Sequence, residues 1–408
     1  MRPLLPLAAA LIAASACGTE PQTASDYIPD DDWSGPVVVH SPEDLDAAPR
    51  IEMVEVLRIG SLDGPEATQF FRVAGADVAD NQLFVLDAGH SEVRVFDLGS
   101  GDFLHAFGGT GDGPGEFRSP STVEVLGDTV IVADRSRISH FTPDGAFLGS
   151  RDAYATMPDG SRIRLSHSGR ASFYTETYPQ GRPPVDELYR DTTVVRRFDR
   201  ATGEPGSEIL RYPGQPQLLN LQERIVLNPI FGIEPVFMWG SDGRLYYSPN
   251  DAYRLDIFDA ATGEEAVRLI VTLDLPPVTS EMVDERIAMD RGALDDAEER
   301  GDPNVELYRA LLDRRKLPHG ETRPLTNSMR MAEDGRFMMI RGDLDANPDE
   351  AGDPGHWDVF GPDGSIRGRL VTAPGANVRR FTGDYLVTRE TDDLDVQYVV
   401  VYRLEPTP

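Results

Sequence analysis

NQLFVLD at residues 81–87, followed by RVFD at 94–97, is the unit on which the fold turns. A tight polar turn leads into an apolar strand, and a second strand ends in an aromatic residue and an acidic turn. The arrangement recurs as GDTVIVAD at 127–134 with SHFTPDG at 139–145, then as SGRASFYTE with RRFDRATG and DGRLYYSP with DIFDAATG. DGRFMMIR with DVFGPDG and TGDYLVTR with VVYRLEP complete the series. Short β-rich runs bounded by Gly, Asp and Asn read as strands joined by hairpins. Repetition at this spacing predicts an all-β, six-bladed β-propeller with four-stranded antiparallel blades.

The aromatic residues Phe96, Phe141, Phe198, Phe258, Phe360 and Tyr402 mark the third strand of each unit. The spacings Phe96 to Phe141 and Phe360 to Tyr402 suit a bare blade of about 40–45 residues, so the longer spacings between them contain insertions. A fourth strand follows every marker except Tyr402, after which too little chain remains. Met53 to Gly60 reads like the missing strand, and SLDGPE after it echoes TGDGPGE after the first blade. The last blade is therefore expected to be closed by the N-terminal strand, which leaves only short, protected edges.

A net charge of −30, from 39 basic and 69 acidic residues, opposes binding to nucleic acid or to an anionic membrane surface. The single cysteine, Cys17, excludes an internal disulfide and any multi-cysteine metal site. Arg2, the apolar run Leu4 to Ala14 and the sequence Ala14-Ser15-Ala16-Cys17-Gly18 resemble a bacterial lipoprotein signal ending in a lipobox. That resemblance implies lipidation at Cys17 and attachment to the cell envelope, with the outer membrane favoured because Gly18 is not aspartate. The expected organisation is a signal at 1–17, a flexible acidic tether at 18–50 and the propeller at 51–408, with a monomer as the assembly.

The first-to-second and third-to-fourth turns of each blade stay short, as at Asp80-Asn81, Gly127-Asp128 and Pro143-Asp144-Gly145, and they share one face of a propeller. The long connections, 178–191, 343–355, 109–119, 214–232 and 276–326, share the other. That elaborated face is the expected binding face. Its longest insertion predicts a helical hairpin at about 279–316, between blades 4 and 5. Thr279 caps a first helix with Met282, Val283, Ile287, Met289, Leu294 and Ala297 on one side, and Gly301 stops it. Asp302-Pro303 opens a second helix with Leu307, Leu311 and Leu312.

Residues 107–150 resemble the NHL repeat, through Gly113-Pro114-Gly115-Glu116-Phe117, Pro120, Val132-Ala133-Asp134 and the turn from Phe141 to Gly145. Asp87 to Asp97 is similar, with His90 where the repeat usually has asparagine. The resemblance implies the fold and places the chain beside six-bladed, NHL-like bacterial lipoproteins.

Chemistry is less marked. Asp343 to Glu350 alternates oxygen ligands, but Pro348 and Pro354 exclude an EF-hand. His40, His90, His105, His140, His167, His319 and His356 share no blade position, which disfavours a histidine-bound metal. Glu234, Asn327 and Asn377 begin the inner strands of three successive blades and form the candidate oxygen ligands for calcium in a lactonase-like hydrolase or lyase. Asp77, Glu124, Arg164, Arg330 and Arg379 fall within inner strands, where they line a polar funnel or pair between blades. The leading expectation is a non-catalytic envelope lipoprotein without a cofactor. It binds an envelope protein or a small molecule through Tyr178, Arg182, Arg323, His356 and Trp357, since aromatic and arginine side chains carry large contact energies.

Overall fold

The computed structural model describes residues 32–406 apart from 157–161, 165, 169–170, 179–187, 200–201, 203, 221–224, 303–304, 307–308, 310–311, 313–321, 323–328 and 342–353. Six four-stranded antiparallel sheets follow one another along the chain. Blade 1 runs Val73–Ala79, Gln82–Asp87, Glu92–Asp97 and Phe103–Gly108, and blade 2 runs Thr122–Leu126, Thr129–Ala133, Arg137–Phe141 and Phe147–Asp152. Blade 3 is Ser166–Ser168, Ala171–Tyr178, Thr192–Asp199 and Glu204–Pro213, and blade 4 is Val236–Trp239, Arg244–Ser248, Arg254–Asp259 and Glu265–Val271. Blade 5 is Met329–Met331, Phe337–Arg341, His356–Phe360 and Ile366–Val371. Blade 6 has Asn377–Thr382, Tyr385–Thr391 and Gln397–Pro406, and Ile51–Ile59 supplies its outer strand. Met53 lies opposite Leu404 and Ile59 opposite Val399, so the first and last parts of the propeller share a sheet as expected.

The inner strands of blades 1 and 2, 3 and 4, 5 and 6, and 6 and 1 contact one another. The core is divided into layers between blades, because each sheet is apolar on both faces. Val123, Val130 and Phe141 of blade 2 pack on Phe84 and Val95 of blade 1, while Val387 and Val401 of blade 6 pack on Val73 and Leu83. The six marker aromatics are all buried within such layers, which explains their recurrence. Asp80 and Asn81 both have positive φ, 47° and 60°, as a tight two-residue hairpin requires.

The segment expected to be a tether is structured from Trp33 onward. Val37–His40 pairs in parallel with the outer strand of blade 4, making that sheet five-stranded. Helix α1 (Pro42–Ala47) follows, opened by a capping box in which Ser41 and Asp44 bond each other's backbone N–H, with Pro42 in its first turn. Leu45 is fully buried among Tyr253, Leu255 and Phe360 of blades 4 and 5. His40 Nε2 lies 2.8 Å from the Gly364 carbonyl, and Arg369 N donates to Pro49 O at 2.9 Å. These residues read as a tether because a single short strand and a one-turn helix have no periodicity of their own. Their apolar partners come from distant blades.

Helix α2 (Ser280–Glu299) is the first arm of the predicted hairpin. Thr279 caps it, and Gly301, at φ +77°, ends it in a Schellman pair: Gly301 N bonds Glu298 O and Asp302 N bonds Ala297 O. Val283 and Ile287 are buried against Ile230 and Leu312, whereas Met289 is 48% exposed. Met289 leaves the expected stripe because two positions beyond Ile287 is about half a turn around a helix. Of the second arm, Val305 and Leu312 are helical and buried, and Leu307 and Leu311 lie outside the described residues.

Candidate functional site

Antiparallel order within the blades puts the first-to-second and third-to-fourth turns at one end of the propeller, and the second-to-third turns and blade-to-blade connections at the other. Only the second end is elaborated. Leu188–Tyr189, Gln217–Asn220 and Ile225–Leu227 form an added three-stranded sheet there, and α2 packs on Ile230. The three most exposed large apolar side chains among the described residues, Phe71, Leu394 and Leu62, also lie on connections at this end.

These connections are pinned to the blades. Asp87, at the end of the second strand of blade 1, is fully buried and accepts from the backbone N–H of Phe71 at 3.0 Å, Arg72 at 2.9 Å and Gly89 at 3.0 Å. Burial alone would raise its pKa, but His90 at 2.7 Å and the Arg72 and Phe71 N–H groups hold it below the usual carboxylate range. Asp134 repeats the role in blade 2, accepting from Arg118 N and Ser119 N at 2.8 and 3.1 Å. Arg94, buried behind them, donates to the carbonyls of Glu66, Ala67 and Gln69 and to Glu92.

Toward the hairpin end, the inner strands carry a four-residue charge network. Arg380 of blade 6 donates through Nε to Asp77 at 3.0 Å, through Nη1 to Glu124 at 3.1 Å and through Nη2 to Glu333 at 2.6 Å. It thereby joins blades 6, 1 and 2 to the hairpin of blade 5. Asp77 also accepts from Val78 N at 2.9 Å and Val125 N at 2.8 Å. Burial pushes Asp77 up to about 6 despite the pull of Arg380 and these N–H groups. Burial disfavours the Arg380 charge, yet the three carboxylates outweigh it and raise its pKa. Asp77 and Glu124 were expected to line a funnel or pair between blades, and they pair.

Toward the elaborated end, the same surface turns basic. A β-bulge in blade 6 shifts the register between Val378 and Arg380, so Arg379 and Arg380 both leave the sheet on the side facing blade 1. Arg379 reaches only a backbone carbonyl, Ala74 O at 3.4 Å. Arg330 of blade 5 donates to Val378 O at 3.0 and 2.8 Å and to Met329 O at 2.9 Å. Burial and the charges of Arg389 and Arg330 push Arg379 down to about 10, and burial lowers Arg330.

The expected contact residues are only partly placed. Arg182, Arg323, Asn327 and the side chains of Tyr178 and Arg164 lie outside the described residues, as do Cys17 and 343–350. Trp357 is 4% exposed and sits in the core between blades 5 and 6, so it is a packing residue and not a surface contact. His356 is half-buried beside it at the start of the third strand, on the elaborated end, where His90 also lies. Glu234 precedes the inner strand of blade 4 and contributes a carbonyl to Asn250, while Asn377 is exposed and opposite Arg389. Among the described residues, no group of three or more His, Cys, Asp or Glu side chains is placed to hold a metal ion. Arg380 and Arg389 were missed. Strict alternation would send Arg379 and Arg380 to opposite faces, and no sequence signal marks the bulge.

A family model described as a six-bladed β-propeller matches residues 44–151, which span α1, the closing strand and blades 1 and 2. Similar solved structures include a protein described as exported from Bacteroides fragilis, 12% identical with a TM-score of 0.43, covering 91% of this chain and 100% of that one. A DUF4221 family member from Bacteroides vulgatus is 12% identical with a TM-score of 0.45, covering 88% and 100%. A luciferin-regenerating enzyme is 12% identical with a TM-score of 0.35, covering 86% and 97%. No curated protein matches the sequence.

Proposed function

We propose that this propeller is a non-catalytic recognition module, lipid-anchored in the cell envelope through Cys17, that binds its ligand or partner on the elaborated face. The observation that carries the reading is the asymmetry of the two ends. One consists of tight hairpins, whereas the other gathers the long connections, the added sheet, α2 and the exposed Phe71, Leu394 and Leu62. Exposed apolar side chains on backbone held by Asp87, Asp134 and Arg94 present a pre-organised surface, which lowers the ordering cost of binding. The lipobox-like sequence and the NHL-like blades support the address and the module type. The net charge of −30 supports a partner other than nucleic acid.

Two measurements test the reading. A photo-cross-linking residue placed at Phe71 or Leu394 is expected to trap a specific adduct in intact cells, and one at Asp384 or Gly243 on the hairpin end is not. Adducts from the hairpin end alone would overturn the assignment of the face. The C17S variant is expected to leave the membrane fraction, and unchanged membrane retention would overturn the anchor.

A further inference from the structure

We propose that Arg330, Arg379 and Arg389 form an oxyanion site, for a small carboxylate or phosphate ligand, at the elaborated end of the inner strands of blades 5, 6 and 1. The inference rests on the binding-face reading and names the chemistry that the face would recognise. Arg94, Arg268 and Arg380 are matched by carboxylates: Arg94 by Glu92, Arg268 by Asp256, and Arg380 by Asp77, Glu124 and Glu333. Among the described residues, Arg330, Arg379 and Arg389 have no carboxylate partner, and Arg379 lies close enough to feel the charges of the other two. The Nε atoms of Arg379 and Arg389 are both buried without a hydrogen-bond partner.

Geometry brings the three together. The bulge turns Arg379 toward blade 1, and Arg389 shares that side of the sheet because it lies opposite Asn377, across from Val399. Arg330 is held against the inner strand of blade 6 by its two bonds to Val378 O, which leaves guanidinium hydrogens uncommitted. A buried donor without a partner costs roughly 1–3 kcal/mol, and like charges at this range add repulsion. An oxyanion accepts from such donors and cancels the repulsion, with the planar guanidinium geometry suited to bidentate contact. The Arg380 network closes the axial direction toward the hairpin end, so the ligand enters from the elaborated face.

Calorimetric titration of the full chain with citrate and with inorganic phosphate tests the site. Saturable binding of either anion is expected, and comparison of the two arms distinguishes a carboxylate from a phosphate ligand. R379Q and R389Q are each expected to weaken binding about tenfold or more, while R118Q, an exposed arginine on the same face, leaves it unchanged. Circular dichroism confirms folding, and R389K is expected to retain partial binding if either glutamine variant unfolds. Absence of binding by both anions, or undiminished binding in R379Q and R389Q, would overturn the proposal. Photo-adducts from Phe71 or Leu394 would then still stand, so its failure is separable from that of the binding-face reading.

Discussion

At the residue scale, Arg380 is the most consequential side chain described. Three carboxylates share its one guanidinium. R380Q leaves Asp77, Glu124 and Glu333 without a counter-charge, and breaking such a network costs about 3–5 kcal/mol. That loss should be larger at pH 8 than at pH 5, where Asp77 takes up its proton; urea unfolding at both values checks it. Asp77 itself gives a signed test. Its folded pKa of about 6 exceeds the ordinary 3.8, so the native state binds the extra proton between those values. Its contribution is full below about pH 4 and is lost as pH rises through about 6. D77N, with no proton to lose, should therefore gain stability relative to wild type by up to about 3 kcal/mol between pH 4 and pH 7. Asp77 and Glu124 were legible as inner-strand charges because the repeat places them. Arg380 was not, since a bulge is a one-residue departure that alternation cannot register.

At the scale of the element, the residues before the propeller show how much tertiary context hides. VVVH at 37–40 has neither length nor a turn partner to announce a hairpin, because its partner strand lies at Glu265–Val271. Helix α1 was passed over with the tether, although Ser41, Pro42 and Asp44 stand where a capping box with an N-terminal proline needs them. The helix matters through Leu45. Removing that fully buried side chain in L45A should cost roughly 2–5 kcal/mol, whereas S41A, which removes only the cap, should cost about 1 kcal/mol. Thermal or urea unfolding orders the two, and an equal cost would show that α1 is held by its cap and not by its anchor. Helix α2 illustrates the converse, since its cap and its glycine stop were both visible, and only the width of its apolar stripe was overread at Met289.

At the scale of the whole molecule, repetition made the architecture legible: six similar units with one lacking its last strand specify a ring and the place where it closes. Deleting residues 1–60 should leave the strand Gln397–Pro406 as an open edge, giving an aggregating, non-cooperative chain by size exclusion and calorimetry. A synthetic peptide of residues 50–60 added in trans should restore a monomeric, cooperative species; survival of the deletion without the peptide would show that closure is dispensable. The segment from Trp33 to Ile59 does more than close the ring. It crosses the outer edge of blade 4, wedges Leu45 against blades 4 and 5, bonds Arg369 of blade 5 and ends as the rim of blade 6. A chain built this way synthesises its girdle before the staves that the girdle binds. Nascent residues 33–59 have no edge to dock on until blades 4 to 6 have been translated, so assembly is deferred to the completed polypeptide and stalled fragments are left for proteases to clear.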